Sequence, residues 1–239
     1  MRPNGAYGSV RFAGPPGWRR IPPVTRGTMV LAAVGYLATI FLSFPALKLS
    51  LEPSAVFPRG EVWRLLTYPV VNVGIVVVLF DLLLLWSFGS ELEPQWGSRG
   101  YALFLILSTL SAGVIGVASS LLFPSSGFGH AGGVAAPLTA AIVAWMLLGP
   151  SLPANLFGIL PMTRTGFALI AVVVVTFGEI EATRSLTRVA FVLGGIPTAW
   201  LWVRFVGRRT VCLHFNAPRF LRRRRFRVVP DDRQKRWYH

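Results

Sequence analysis

Between Gly100 and Thr163 the chain has no Asp, Glu, Lys or Arg. In a water-soluble fold about a quarter of residues are charged, and so long a stretch without them would leave too little polar surface to meet solvent. Charged residues make up 14% of the 239 and hydrophobic ones 53%, with a mean hydropathy of +0.57. A soluble globular enzyme is thereby excluded in favour of an integral membrane protein. Cysteine is nearly absent, and a single Cys212 excludes an internal disulfide. Cys212 with His214 is too small a ligand set for a structural metal, so neither a metal nor a cofactor is expected. Acidic residues number 9 against 24 Lys and Arg, and the net charge of +15 raises the question of nucleic acid. The distribution argues against it. The basic residues crowd between Arg204 and His239, above all at Arg222–Arg227, so the charge belongs to a tail beside a membrane and no nucleic-acid partner is expected.

What is present is long apolar runs. Crossing a hydrocarbon layer roughly 30 Å thick takes about 20 helical residues at about 1.5 Å each. Six segments are read as spans: Gly27–Leu47, Leu65–Gly89 with Asp81 inside it, Tyr101–Phe123, Gly132–Leu148, Thr165–Gly178 and Val189–Val203. Turn signals separate them at Pro124–Gly127 and at Gly149, Pro150 and Pro153. The first lacks a small-residue cleavage site behind a short apolar core and reads as an anchor. The last two cover only roughly 22 Å each, which predicts local thinning of the bilayer or snorkelling arginines. The expected organisation is an N-terminal segment 1–27, a membrane domain 28–205 and a basic tail 206–239. Nineteen of the 24 Lys and Arg fall on the side shared by both termini, which predicts cytoplasmic ends. The six-span plan and the Arg-, Ala- and Gly-rich composition point to a bacterial inner membrane, with anionic lipid head groups as partners of the tail.

Two stretches are more specific than hydropathy. From Phe57 to Gly97 the chain carries Trp63-Arg64, then Leu66-Thr67, then Trp86 to Gly89, and Gly89-x-x-Leu92-Glu93-x-x-x-Gly97. Further on come Gly129-His130-Ala131-Gly132 and Leu193-Gly194-Gly195. This order resembles the rhomboid family of intramembrane serine proteases over about Thr28 to Phe205. The resemblance implies an all-α bundle of six transmembrane helices, a first loop lying partly in the bilayer and a mobile fifth helix past which transmembrane substrates approach. It also implies a Ser on the fourth helix and a His on the sixth as a catalytic pair.

Carried over position by position, the resemblance places Ala131 where the nucleophile should stand and Val192 where the general base should stand. Val77 and Asp81 occupy the His-x-x-x-Asn positions that help to stabilise the oxyanion. Acyl transfer needs a hydroxyl, a base within hydrogen-bond reach and donors aimed at the developing oxyanion. Methyl and isopropyl groups supply none of these, and an ionised Asp81 only accepts hydrogen bonds. His130 is the one histidine of the membrane portion, with Ser119, Ser120, Ser125 and Ser126 as the nearest candidate hydroxyls; a role capping the fourth helix is the plainer expectation.

The sequence therefore reads as a catalytically degenerate rhomboid-like protein, a pseudoprotease that binds or escorts transmembrane clients. Trp63, Arg64, Asp81 and His130 are its expected client- or membrane-facing residues. Small residues at Gly132 with Ala136 and at Gly195 with Ala199 are expected to let the fourth and sixth helices pack closely, and Gly113 and Gly116 to serve the third. Two alternatives remain at this point. One is an active protease with an unorthodox site. The other is a proton or solute pathway through Asp81, since an acid at membrane depth is costly and suggests function.

Overall fold

The computed structural model describes residues 21–41, 48–57, 59–72, 74–124, 127–148, 153–156, 160–183 and 185–207. The expectations placed on Ser125, Ser126, Cys212, His214 and the tail beyond residue 207 lie outside them. Helix α1 (Pro23–Phe41) begins with proline, whose missing N–H costs nothing in a first turn. It starts four residues before the expected Gly27. A loop with two single-turn helices follows, α2 (Pro53–Val56) and α3 (Arg64–Thr67), and then a 3₁₀ turn at Tyr68–Val70.

Helix α4 runs from Ile75 to Leu122, 48 residues or about 72 Å if straight, more than twice the thickness of a hydrocarbon layer. It is not straight, because Gly97 adopts φ 74° and ψ 159°, a conformation essentially reserved for glycine, and folds the helix into two arms. The arms are here α4a (residues 75–96) and α4b (residues 98–122). The expected start of the second span at Leu65 is corrected to Ile75. Leu65 to Val70 are apolar enough to pass for a span, but Pro69 and the positive φ of Gly74 place them in the loop.

Helix α5 (Ala135–Leu148) starts three residues later than the expected Gly132. An antiparallel hairpin, β1 (Pro153–Leu156) with β2 (Leu160–Thr163), joins it to α6 (Arg164–Thr183). Helix α7 (Leu186–Leu193) ends at Gly194 and Gly195, after which α8 (Ile196–Trp202) and a π turn (Val203–Gly207) continue. The break falls just ahead of Pro197, so the amide that proline lacks belongs to a first turn and leaves no interior gap. The expected shortness of the last two spans is revised for the sixth, since an apolar run of 20 residues, Thr187–Val206, crosses that break. In the fifth, α6 has 20 residues although its apolar part is the shorter Thr165–Gly178.

By length and composition α1, α4 and Thr187–Val206 can cross a membrane, and Ala135–Leu148 and Thr165–Gly178 are shorter apolar helices. The exposed apolar side chains agree with lipid as the outer solvent: Leu31 and Leu37 on α1, Val76 and Leu79 on α4a, Val173 and Phe177 on α6. Helix α5 sits at the centre, with every residue from Ala135 to Trp145 buried. Helices pack around it through small residues. A Cβ on Gly195 would stand 2.8 Å from Ala140 Cβ and 3.1 Å from Ala136 O, so the sixth segment lies close against α5 there. Gly132 does not share this contact, because it precedes α5 and faces the carbonyl of Val71. Gly113 packs on Leu65 and Gly116 on Phe191 and Phe128.

Candidate functional site

The Gly89 to Gly97 motif is a mechanical junction between helices. At Gly89 a Cβ would lie 2.7 Å from Thr25 side-chain atoms and 3.0 Å from Tyr101 Oη, so only glycine lets α1, α4a and α4b meet there. Leu92 is fully buried. Glu93 accepts the N–H of Val24 at 3.0 Å, the N–H of Thr25 at 2.7 Å and the Thr25 hydroxyl at 2.9 Å. Its carboxylate thus satisfies free amides in the first turn of α1, where the helix dipole favours negative charge. Ser98 Oγ donates to the same carboxylate at 2.6 Å, across the Gly97 fold.

Arg64 of the Trp63-Arg64 pair turns inward. Its Nε donates to Glu61 Oε2 at 2.5 Å and a second nitrogen donates to the backbone carbonyl of Ser50 at 2.9 Å, with Glu52 Oε2 3.9 Å away. Trp63 remains 54% exposed. Ser54 Oγ donates to Glu52 at 2.6 Å. That bond is the main reason the Glu52 carboxyl sits below the ordinary glutamate value; partial burial opposes it, and His130, Arg64 and Arg59 add to it.

Ala131 is not on a helix. It forms an isolated antiparallel bridge with Leu51, N–H to carbonyl at 2.8 Å and 2.7 Å in the two directions, which stitches the first loop to the segment ahead of α5. Ala131 and Val192 are both fully buried, in one hydrophobic cluster with Tyr68, Phe128 and Phe191. The Phe191 ring meets Tyr68 edge-on at 5.0 Å and Phe128 at 6.0 Å. The Tyr68 hydroxyl donates to Thr109 O at 3.1 Å. On α4a, Asp81 is buried on the face that carries Val78, Leu85 and Phe88, whereas Val77 is 44% exposed, so the two residues do not share one environment.

His130 does not cap α5, which begins five residues later. The ring is half-exposed and reaches the first loop instead, with Nδ1 3.3 Å from Ser50 Oγ and 3.8 Å from Glu52 Oε2. The sequence reading missed Ser50 because the contact spans 80 positions. Both partners approach the same nitrogen. A nucleophile–base–orienter relay needs the hydroxyl and the carboxylate on opposite ring nitrogens. Ser119 and Ser120, the neighbours considered from sequence, donate to carbonyls of their own helix, Gly116 and Val117.

Sequence alone gives Arg188 no role beyond its positive charge. It is buried in the first turn of α7, where Nε donates to Phe128 O at 3.1 Å, a second nitrogen donates to His130 O, and the guanidinium lies 5.8 Å from the centre of the Phe128 ring. Arg188 thereby fastens both ends of the segment from Phe128 to His130. At the opposite end of the bundle Phe88, Trp145 and Phe167 form a trio with ring separations of 5.1, 5.9 and 6.1 Å, and the Trp145 indole N–H donates to Glu91.

Residues 26–222 match the family described as eukaryotic integral membrane protein (DUF1751). The chain belongs to this family. It is rhomboid-like as well: it is 37% identical over 79 residues to Rhomboid protease GluP of Bacillus subtilis and 32% identical over 97 residues to Rhomboid-like protein 15 of Arabidopsis thaliana. These matches cover 32% and 40% of the chain but only 15% and 24% of the two relatives. The all-α, multi-pass membrane scaffold follows from the family and the helices together. The bacterial address read from composition is not carried by these matches, since the family's description is eukaryotic and the relatives come from a bacterium and a plant.

Proposed function

We propose that this rhomboid-like protein is a pseudoprotease that binds transmembrane helices of other proteins without cleaving them. One observation carries the reading. Ala131 and Val192, at the positions that the resemblance assigns to nucleophile and base, are sealed in a hydrocarbon cluster with Tyr68, Phe128 and Phe191. An apolar cluster of this kind disfavours a hydrolytic water and a charged intermediate. In this reading six helical segments cross the bilayer with both termini cytoplasmic, a sidedness supported by 19 of 24 basic residues. Trp63, exposed on the first loop, and the exposed apolar face of α6 offer contact surface, while the Phe88, Trp145 and Phe167 trio holds α6 at its N-terminal end. Arg64 and His130 support the surface through the first-loop network, while Asp81 is buried on the inner face of α4a.

The test uses the purified full chain in liposomes with single-span model substrates, alongside an Ala131→Ser, Val192→His double variant. Photo-crosslinking from Trp63 and Phe167 reports whether substrate helices are held. Capture without cleavage supports the proposal, and cleavage by the unmodified protein overturns it. The contact between Ser50 and His130 favours a second reading, proteolysis from an unorthodox site. A fluorophosphonate label on Ser50 that disappears in His130→Ala would establish that reading in place of the first.

A further inference from the structure

Helices α4b and α8 run in opposite directions side by side. Trp96, next to the start of α4b, and Trp202, at the end of α8, have ring centres 6.1 Å apart. Further along the pair, the Ser111 hydroxyl donates to Gly194 O at 2.7 Å. Along the pair lies an open groove of about 570 Å³. Its walls are Leu107, Leu110 and Val114 on one side and Thr198, Leu201 and Phe205 on the other. The volume falls within the range of small-molecule sites, yet the lining is almost wholly hydrocarbon, and Val114, Leu201 and Phe205 are about half-exposed or more, so the groove opens sideways.

Charge is concentrated at one end. Arg99 opens α4b and Arg204 closes the sixth segment, and the contact between Trp96 and Trp202 brings these two chain positions to the same end of the bundle. Both arginines are exposed, and the Arg204 guanidinium lies 5.2 Å from the centre of the Trp200 ring. Arg208 and Arg209 follow in sequence. Of the acids on the described part of α4a, Glu93 is engaged with α1 and Ser98, and Glu91 with Trp145. An apolar groove, with two exposed guanidinium groups toward one end of its helices that make no ion pair among the described residues, matches one kind of molecule: a long apolar chain with an anionic head.

We propose that the groove between α4b and α8 is a binding site for an anionic phospholipid. One acyl chain lies along Leu107, Val114, Leu201 and Phe205, and the phosphate is held by Arg99 and Arg204. The inference rests on the membrane scaffold and is independent of whether clients are bound or cleaved.

The full chain is reconstituted in phosphatidylcholine vesicles that contain a trace of either phosphatidylglycerol or phosphatidylcholine with a photoactivatable group on the acyl chain. Labelled peptides are mapped by mass spectrometry. The expected result is labelling at Leu107, Val114, Leu201 and Phe205, stronger for phosphatidylglycerol. In the Arg99→Ala, Arg204→Ala variant that preference falls on the order of tenfold, because each basic side chain near the surface contributes to anionic-lipid attraction. Val114→Trp fills the groove and removes the label. Melting temperatures of both variants report folding, and labelling of the unmodified chain decides the matter without them. Equal labelling by the two lipids, labels confined to other surfaces, or crosslinks from bifunctional probes at Val114 to a protein instead of lipid would each overturn the proposal.

Discussion

Glu93 holds the first turn of α1 through Thr25, accepting both its backbone N–H at 2.7 Å and its hydroxyl at 2.9 Å. Replacing the carboxylate leaves two buried donors of Thr25 and part-buried donors at Val24 and Ser98 without an acceptor, and each buried donor costs about 1–3 kcal/mol. Glu93→Ala is therefore expected to lower stability by at least about 2 kcal/mol in detergent, with Glu93→Gln intermediate because one oxygen remains. Thermal unfolding combined with amide exchange at Val24 and Thr25 measures both effects. Equal melting of Glu93→Ala and the unmodified protein would remove the capping role.

Gly97 separates backbone strain from packing. A Cβ there meets no atom within 4 Å, so any loss on substitution comes from φ 74° alone. Gly97→Ala should cost about 1–3 kcal/mol. Unchanged thermal stability would mean that the fold between α4a and α4b tolerates an ordinary residue.

Gly195 poses the opposite case, since its backbone suits any residue and space is the constraint. Leucine at this position has to displace Ala140 and the Ala136 carbonyl, and Gly195→Leu is expected to lose about 1–3 kcal/mol or more. Gly178, with nothing within 4 Å, is the control, and Gly178→Ala should melt at the same temperature or slightly higher. The contrast is read in one melting series.

Arg188 fixes the segment ahead of α5 through the carbonyls of Phe128 and His130. Hydrogen bonds to a charged group are worth about 1.5–3 kcal/mol each, so Arg188→Ala should release residues 127–131 before the helices melt. Faster proteolysis or amide exchange in that segment, with little change in the α4a amides, is the expected pattern. Arg188→Lys should recover only part of the protection, because ammonium cannot reproduce the guanidinium fork.

Acid should loosen the first loop through Glu52. Its carboxyl lies below the ordinary value, chiefly through Ser54, with His130, Arg64 and Arg59 adding. A depressed folded value means that the carboxylate's stabilisation is complete above the unfolded glutamate value of about 4.3 and is lost as the pH falls through the lower folded value. Amide exchange at Leu51 and Ala131, the two bridge residues, should rise in that acid window. Glu52→Gln should lack the step, and an identical profile in the variant would assign the titration elsewhere.

Much of the scaffold was legible because lipid demands long apolar helices and because glycines and prolines punctuate them. The end of α4b at Leu122 and the end of α5 at Leu148 follow from local composition. The stretch from Leu65 to Val70 misled, since hydropathy cannot tell a loop packed against helices from the start of a span. Ala131 and Val192 were identified from motif order alone, while the environment that seals them depends on Tyr68, Phe128 and Phe191, rings brought together from three distant parts of the chain. The contact between Ser50 and His130 and the Arg188 clamp were hidden for the same reason, being side-chain meetings over 80 and about 60 positions.

The reach from Thr25 to Glu93 also orders events during synthesis. Those two residues are 68 positions apart, so the first turn of α1 keeps bare amides until Glu93 of α4a has been made. Neighbours in sequence therefore cannot close α1, and a chain truncated before residue 93 would leave the first turn of this helix without its acceptor.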